Sequence, residues 1–148
     1  MDLPQWKPHK DSEKRQQSAI AIAEAALASR AAITPAHLRE ILSIAVWKYT
    51  ECDGKYATRF RSEAALFTPS NLVHHEHVVP RKQLVDRMLA NPELVRMILG
   101  EAIGCVVLRT EHRALAQVEK AHGSLSGWDR YRTAGIVVWD LKSQLRLC

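Results

Sequence analysis

The stretch Asn71-Leu72-Val73-His74-His75-Glu76-His77-Val78-Val79-Pro80 constrains this chain more than any other. Three imidazoles and one carboxylate occupy four consecutive positions, between an apolar approach and a Val-Val-Pro exit. The segment is of β type, and Pro80, which cannot donate to a ladder, is where pairing must have failed. Side chains alternate along a strand, so His74 and Glu76 should face one way and His75 and His77 the other. For Glu76 and His77 to serve one site, the strand has to end, bulge or turn there. Imidazole titrates near neutrality and is the commonest metal ligand, while a carboxylate suits a hard divalent ion. Such a segment can hold a cation and place a base beside it.

The remaining residues must supply a core for that strand. A chain of 148 residues with 47% hydrophobic content suits one domain, and no apolar run is long enough to cross a bilayer. The amino terminus, Met1 to Pro8, lacks the charged-then-apolar layout of a secretory signal, which predicts a cytoplasmic protein. Cys52, Cys105 and Cys148 are odd in number and scattered, giving neither a disulfide framework nor a zinc ribbon. A formal charge of +5 and a pI near 9.3 favour polyanionic partners and serve as support only.

Helical periodicity dominates both flanks. Met1 to Lys10 reads as an extended arm, and a helix capped by Asp11 or Ser12 is predicted to run to about Arg30. Its almost wholly apolar part, Ala19 to Ala28, should be buried against the domain or a partner chain, which leaves a homo-oligomer open. Thr34-Pro35 marks a cap and first helical residue, and Leu38, Ile41, Leu42, Ala45 and Val46 carry a second helix to about Thr50. Lys55 to Ser62 interleaves three cations with two aromatics. It suits phosphate contact through Arg59 and Arg61, or else a solvated segment with Tyr56 and Phe60 in the core. Ser62 to Phe67 reads as a short helix.

Beyond Pro80, helices are predicted over Arg81–Ala90 and from Asn91-Pro92 to about Ile103, followed by a buried strand Cys105–Leu108. Thr110 is read as the cap of a helix from Glu111 to Lys120, which places His112 in the first turn after a strand. A short helix within Ser126–Gly135 and a last strand Ile136–Asp140 complete the chain. Trp128, Tyr131 and Trp139 are read as core anchors, with Arg130 and Arg132 reaching DNA, and Leu141 to Cys148 shows no pattern.

The order of these elements resembles the HNH nuclease family, whose sites are built on a ββα-metal scaffold. The resemblance rests on Glu76-His77-Val78-Val79-Pro80, similar to the family's acidic-His-Ile/Val-Val-Pro segment, and on Val107-Leu108-Arg109-Thr110-Glu111-His112, similar to its strand-then-helix end. It covers roughly residues 71 to 120. The fold implied is α+β and mostly helical: a small ββα core at 71–120, an N-terminal helical part at 1–70, a helical insertion between the core strands, and a C-terminal helix and strand at 121–148, in one domain.

By position, the resemblance implies Glu76 and His112 as ligands of one divalent ion (Mg²⁺, Mn²⁺ or Zn²⁺) and His77 as general base, with His74 and His75 in support. Arg81 and Lys82, beside the motif, join Arg59 and Arg61 as candidate DNA contacts. The activity implied is hydrolysis of phosphodiester bonds in DNA; the chain's compactness, with no recognisable sequence-reading module, suggests that targeting or activation comes from a protein partner or from nucleic-acid structure. Two departures stand out. The family's asparagine before the second strand is replaced by Ile103-Gly104-Cys105, so a backbone carbonyl, His75 or another polar group must orient the base. The insertion from Arg81 to Ile103 is also longer than usual. Alternative readings are a non-catalytic binding subunit on the same scaffold, an RNase of that fold, and a structural zinc site of His74, His75, His77 and His112.

Overall fold

The computed structural model describes residues 2–148. Two long helices, α1 (Ser12–Ala28) and α2 (Pro35–Thr50), pack along each other at the amino-terminal side. Asp11 occupies the cap position of α1 without a side-chain capping bond, whereas Thr34 caps α2 by accepting from the His37 amide at 3.3 Å. Ala19, Ile20, Ala23, Ala26 and Leu27 are buried, so the apolar stretch of α1 is covered largely within the chain. The helices α3 (Arg81–Ala90) and α4 (Val95–Gly100) close this helical layer, with Leu42, Val46, Leu84, Met88, Ile98 and Leu99 at its centre.

The sheet has five strands in the order β2-β3-β1-β4-β5. β1 is Phe60–Ser62, β2 Val73–His77, β3 Gly104–Leu108, β4 Val138–Asp140 and β5 Leu145–Arg146. β2 runs antiparallel to β3 with Glu76 opposite Cys105 and His77 opposite Gly104, and β1 runs parallel to β3. Two further helices, α5 (Arg109–Ala121) and α6 (Trp128–Thr133), pack beside the sheet, where Cys105, Val107, Leu115, Tyr131 and Val138 form a second core. The architecture is the mostly helical α+β mix expected. No helix among the described residues is long and apolar enough to cross a membrane.

Several local expectations are corrected. The cation-and-aromatic segment ends in β1, at the middle of the sheet, so residues 1–70 are not purely helical. Residues 62–67 hold only a turn of 3₁₀ helix, Glu63–Ala65. Thr110 does not cap α5. That helix begins at Arg109, and the Glu111 carboxylate reaches back to accept from the Leu108 amide at 2.8 Å and the Ser62 hydroxyl at 2.6 Å. The patternless tail contributes β5, which turns back onto β4 through Gln144 at φ 60°.

Candidate metal centre

Strand β2 stays regular to His77 and the chain bends at Val78-Val79, so the predicted alternation holds over its whole length. α5 follows β3 with no intervening loop, and β3 is the neighbour of β2. A residue in the first turn of α5 is thereby delivered to the edge of the His74–Glu76 face. His112 arrives there: its Nδ1 bonds Glu76 Oε2, and its ring stacks on His74 with centroids 3.8 Å apart and planes at 23°.

One ligand atom from each of His74, Glu76 and His112 lies within 4.8 Å of the others, a cluster that could hold a metal ion. The structure therefore brings together the expected pair, Glu76 and His112, and adds His74, expected only as a supporting group. Two imidazoles and one carboxylate fit a divalent ion well. Three protein ligands leave coordination positions free, the arrangement of catalytic rather than structural ions. Burial, and after it the neighbouring His112, lowers the pKa of His74 and favours the neutral ring that coordinates. A four-histidine structural site is not formed, because His75 and His77 turn to the other face.

Behind the cluster stands Arg130, only 1% exposed. Its guanidinium donates to Glu76 Oε1 at 3.1 Å and to the His77 carbonyl at 3.3 Å. Its burial corrects the expectation that it reaches outward to DNA. Glu76 is 9% exposed, and a carboxylate at that depth is costly without a paired cation. Nothing in the sequence around Trp128 to Thr133 distinguishes Arg130 from Arg132. The demand came from Glu76, on a buried strand, needing a partner.

On the opposite face His75 and His77 pack against the end of α2. Each Nε2 lies 3.1 Å from the Thr50 hydroxyl, and His75 Nδ1 lies 2.6 Å from the Lys55 carbonyl. Trp47 meets the His77 ring edge-on at 4.5 Å. Burial, with the nearby His75 and Arg81 adding to it, pushes the pKa of His77 down to about 2, so its ring is neutral at physiological pH. His77 still lines a cleft shared with Glu76, Lys82 and His112, so both faces of β2 reach one pocket at the strand's end. Thr50 and Trp47 carry no signal in sequence, where they look like ordinary last-turn residues of a helix.

Arg59, Arg61, Arg81 and Lys82, also expected at DNA, divide into two pairs. Arg59 forms a two-pronged pair with buried Asp140, at 2.7 and 2.5 Å, and its guanidinium holds that carboxyl well below the usual range. Arg61 donates to the Ala65 carbonyl at 2.9 Å and the Tyr56 carbonyl at 3.4 Å. Both therefore have partners within the fold. Arg81 and Lys82 do border the cleft: Arg81 lies over Trp47 and bonds Ser43 at 2.9 Å, while Lys82 is exposed beside Asp86 at 3.0 Å. The sequence matches no protein-family model, and no curated protein or solved structure is significantly similar to it.

Proposed function

We propose that the protein is a metal-dependent endonuclease that hydrolyses phosphodiester bonds in DNA, with one divalent ion (Mg²⁺, Mn²⁺ or Zn²⁺) held by His74, Glu76 and His112. One observation carries the reading. A His-Glu-His ligand set and a separate neutral imidazole, His77, open onto a single cleft. A divalent ion bound there would supply Lewis acidity at the scissile phosphate and charge stabilisation for the departing 3′-oxygen.

The chain's own groups do the rest. His77 takes a proton from the attacking water, whose oxygen bonds to phosphorus as the bond to the 3′-oxygen breaks. Because burial keeps its ring neutral, the accepting form is present before substrate arrives. An anionic phosphodiester beside the ring raises its affinity for that proton. Arg81 and Lys82 sit where they can meet the substrate backbone. Arg130 fixes Glu76 through Oε1, so that Oε2, bonded here to His112 Nδ1, is the oxygen that would turn to the ion together with that nitrogen.

A second reading has its own support. Both oxygens of Glu76 are already bonded, to Arg130 and His112, so the cluster is also self-sufficient as a structural network in a non-catalytic binding subunit. An RNase differs only in substrate. Incubation of the purified protein with plasmid, linear DNA and RNA, with each metal or a chelator, separates the three. Cleavage of DNA is expected with metal and not with chelator. His77→Ala should lower it by about 10²- to 10⁴-fold while metal uptake by calorimetry persists. Cleavage at the parental rate would remove His77 from the mechanism, and no metal uptake by the parent would leave the structural network.

A further inference from the structure

We propose that Thr50 and His75 are positioning residues for His77: a hydrogen-bond relay from the Lys55 carbonyl through His75 and Thr50 holds His77 with Nε2 protonated and Nδ1 free to accept a proton. The proposal rests on the reading of His77 as the base and answers what stands in for the asparagine that the resemblance calls for.

The direction of the relay follows from its first acceptor. A carbonyl only accepts, so His75 Nδ1, 2.6 Å from the Lys55 oxygen, must carry a hydrogen. A neutral His75 then presents a lone pair at Nε2, which the Thr50 hydroxyl, at 3.1 Å, satisfies by donating. With its single proton given to His75, Thr50 can only accept from the other ring 3.1 Å away, and His77 Nε2 must be the donor. The competing acceptor for Thr50 is the Trp47 carbonyl at 3.2 Å, which already accepts from the Glu51 amide at 2.9 Å. If Thr50 donated there, both nitrogens of His75 would have to be protonated. That would place an imidazolium at a position 1% exposed, with no carboxylate bonded to it.

Two features lock the relay in place. Trp47 packs edge-on against the His77 ring, and Gly104, opposite His77 in the ladder, leaves room for His75. A Cβ at Gly104 would lie 2.6 Å from Cε1 and 2.8 Å from Nε2 of the His75 ring. The remaining nitrogen, His77 Nδ1, bonds no group among the described residues, and the ring lines the cleft that Glu76 and His112 share. One end of the ring is thus anchored and the other is presented.

The test is long-range ¹H–¹⁵N spectroscopy of histidine-labelled, metal-free protein near neutral pH, joined to steady-state kinetics. The parent should show His75 as the Nδ1–H tautomer and His77 as Nε2–H. Thr50→Val keeps the shape and removes the hydroxyl, so His77 should become a mixture of tautomers. Its kcat should fall about 10- to 100-fold with KM and metal affinity unchanged. Thr50→Ser should restore both readouts. Gly104→Ala, which leaves every relay group present, should disturb the His75 and His77 signals by displacing the His75 ring.

A single Nε2–H tautomer surviving in Thr50→Val would overturn the relay, as would an unchanged kcat in that variant or a Thr50→Ser variant that behaves like valine. The two readings fail separately. Cleavage that needs His77 with tautomers indifferent to Thr50 ends the relay alone. Tautomers that follow Thr50 in a protein that cuts no nucleic acid end the nuclease reading, and the relay then stands as the determinant of the His77 tautomer.

Discussion

One face of β2 presents His74 and Glu76 to His112 of α5 and Arg130 of α6, while the other presents His75 and His77 to Trp47 and Thr50 of α2. The residue types are nearly the same and the consequences differ. On the first face a carboxylate, a buried guanidinium and two imidazoles make a charged, cation-seeking cluster. On the second, burial favours the uncharged form of both rings. Alternation at a period of two residues thus puts the candidate metal ligands on one side of the strand and the proposed base on the other. The end of the strand at His77 lets both reach one cleft. A base that coordinated the ion would lose the lone pair it needs, so the separation would serve the proposed reaction.

The largest expected effect breaks the charged face from behind. Arg130→Met leaves Glu76 without its buried cation and should cost about 3–5 kcal/mol, read from denaturant unfolding. A loss below about 1 kcal/mol would show that Glu76 is held well enough by His112 and solvent.

The neutral face should reveal itself in acid. His77 has a folded pKa depressed to about 2, against an ordinary value of 6.5, so the unfolded chain binds its proton first as pH falls. Its contribution is complete above the unfolded pKa and is lost progressively as pH drops through 6.5 toward the folded value. Metal-free protein should lose on the order of 2 kcal/mol between about pH 7 and pH 5 from this group, and more from His75, also lowered by burial. His77→Asn should flatten that acid slope. An identical slope in the variant would place the sensitivity elsewhere.

The smallest expected effect separates the faces most cleanly. His74→Ala should weaken metal binding by at least about 10-fold, roughly 1.4 kcal/mol, whereas His75→Ala should leave it within a few-fold. Calorimetry on both variants decides it, and equal losses would mean that the two faces do not divide the work.

Much of this arrangement is legible in the residues. The spacing of Leu84, Val85 and Met88 gives α3, Thr34-Pro35 gives the start of α2, and the strand-to-helix junction at Leu108-Arg109 puts His112 in a first turn. Charge counting does not reveal where a cation also serves the fold. Arg59 and Arg130 look like DNA contacts in sequence because their partners, Asp140 and Glu76, lie 81 and 54 residues away. Phe60–Ser62 escapes notice as a strand because three residues show no period. It becomes one only because β3 and β4 present open edges to it.

By itself, then, the order of residues determined the helices, the alternation of β2 and the pairing of an acidic residue with a histidine before Val78-Val79-Pro80. Those are consequences of local backbone geometry, which repeats every two or 3.6 residues whatever surrounds it. Only the tertiary structure decided that His74 joins the ligand cluster, that Arg130 stands behind Glu76 and that Thr50 grips His77. Such choices depend on which polar groups are shut away from water together. A buried donor or charge must take whatever partner the packed chain brings within about 3 Å, and sequence distance has no bearing on that requirement.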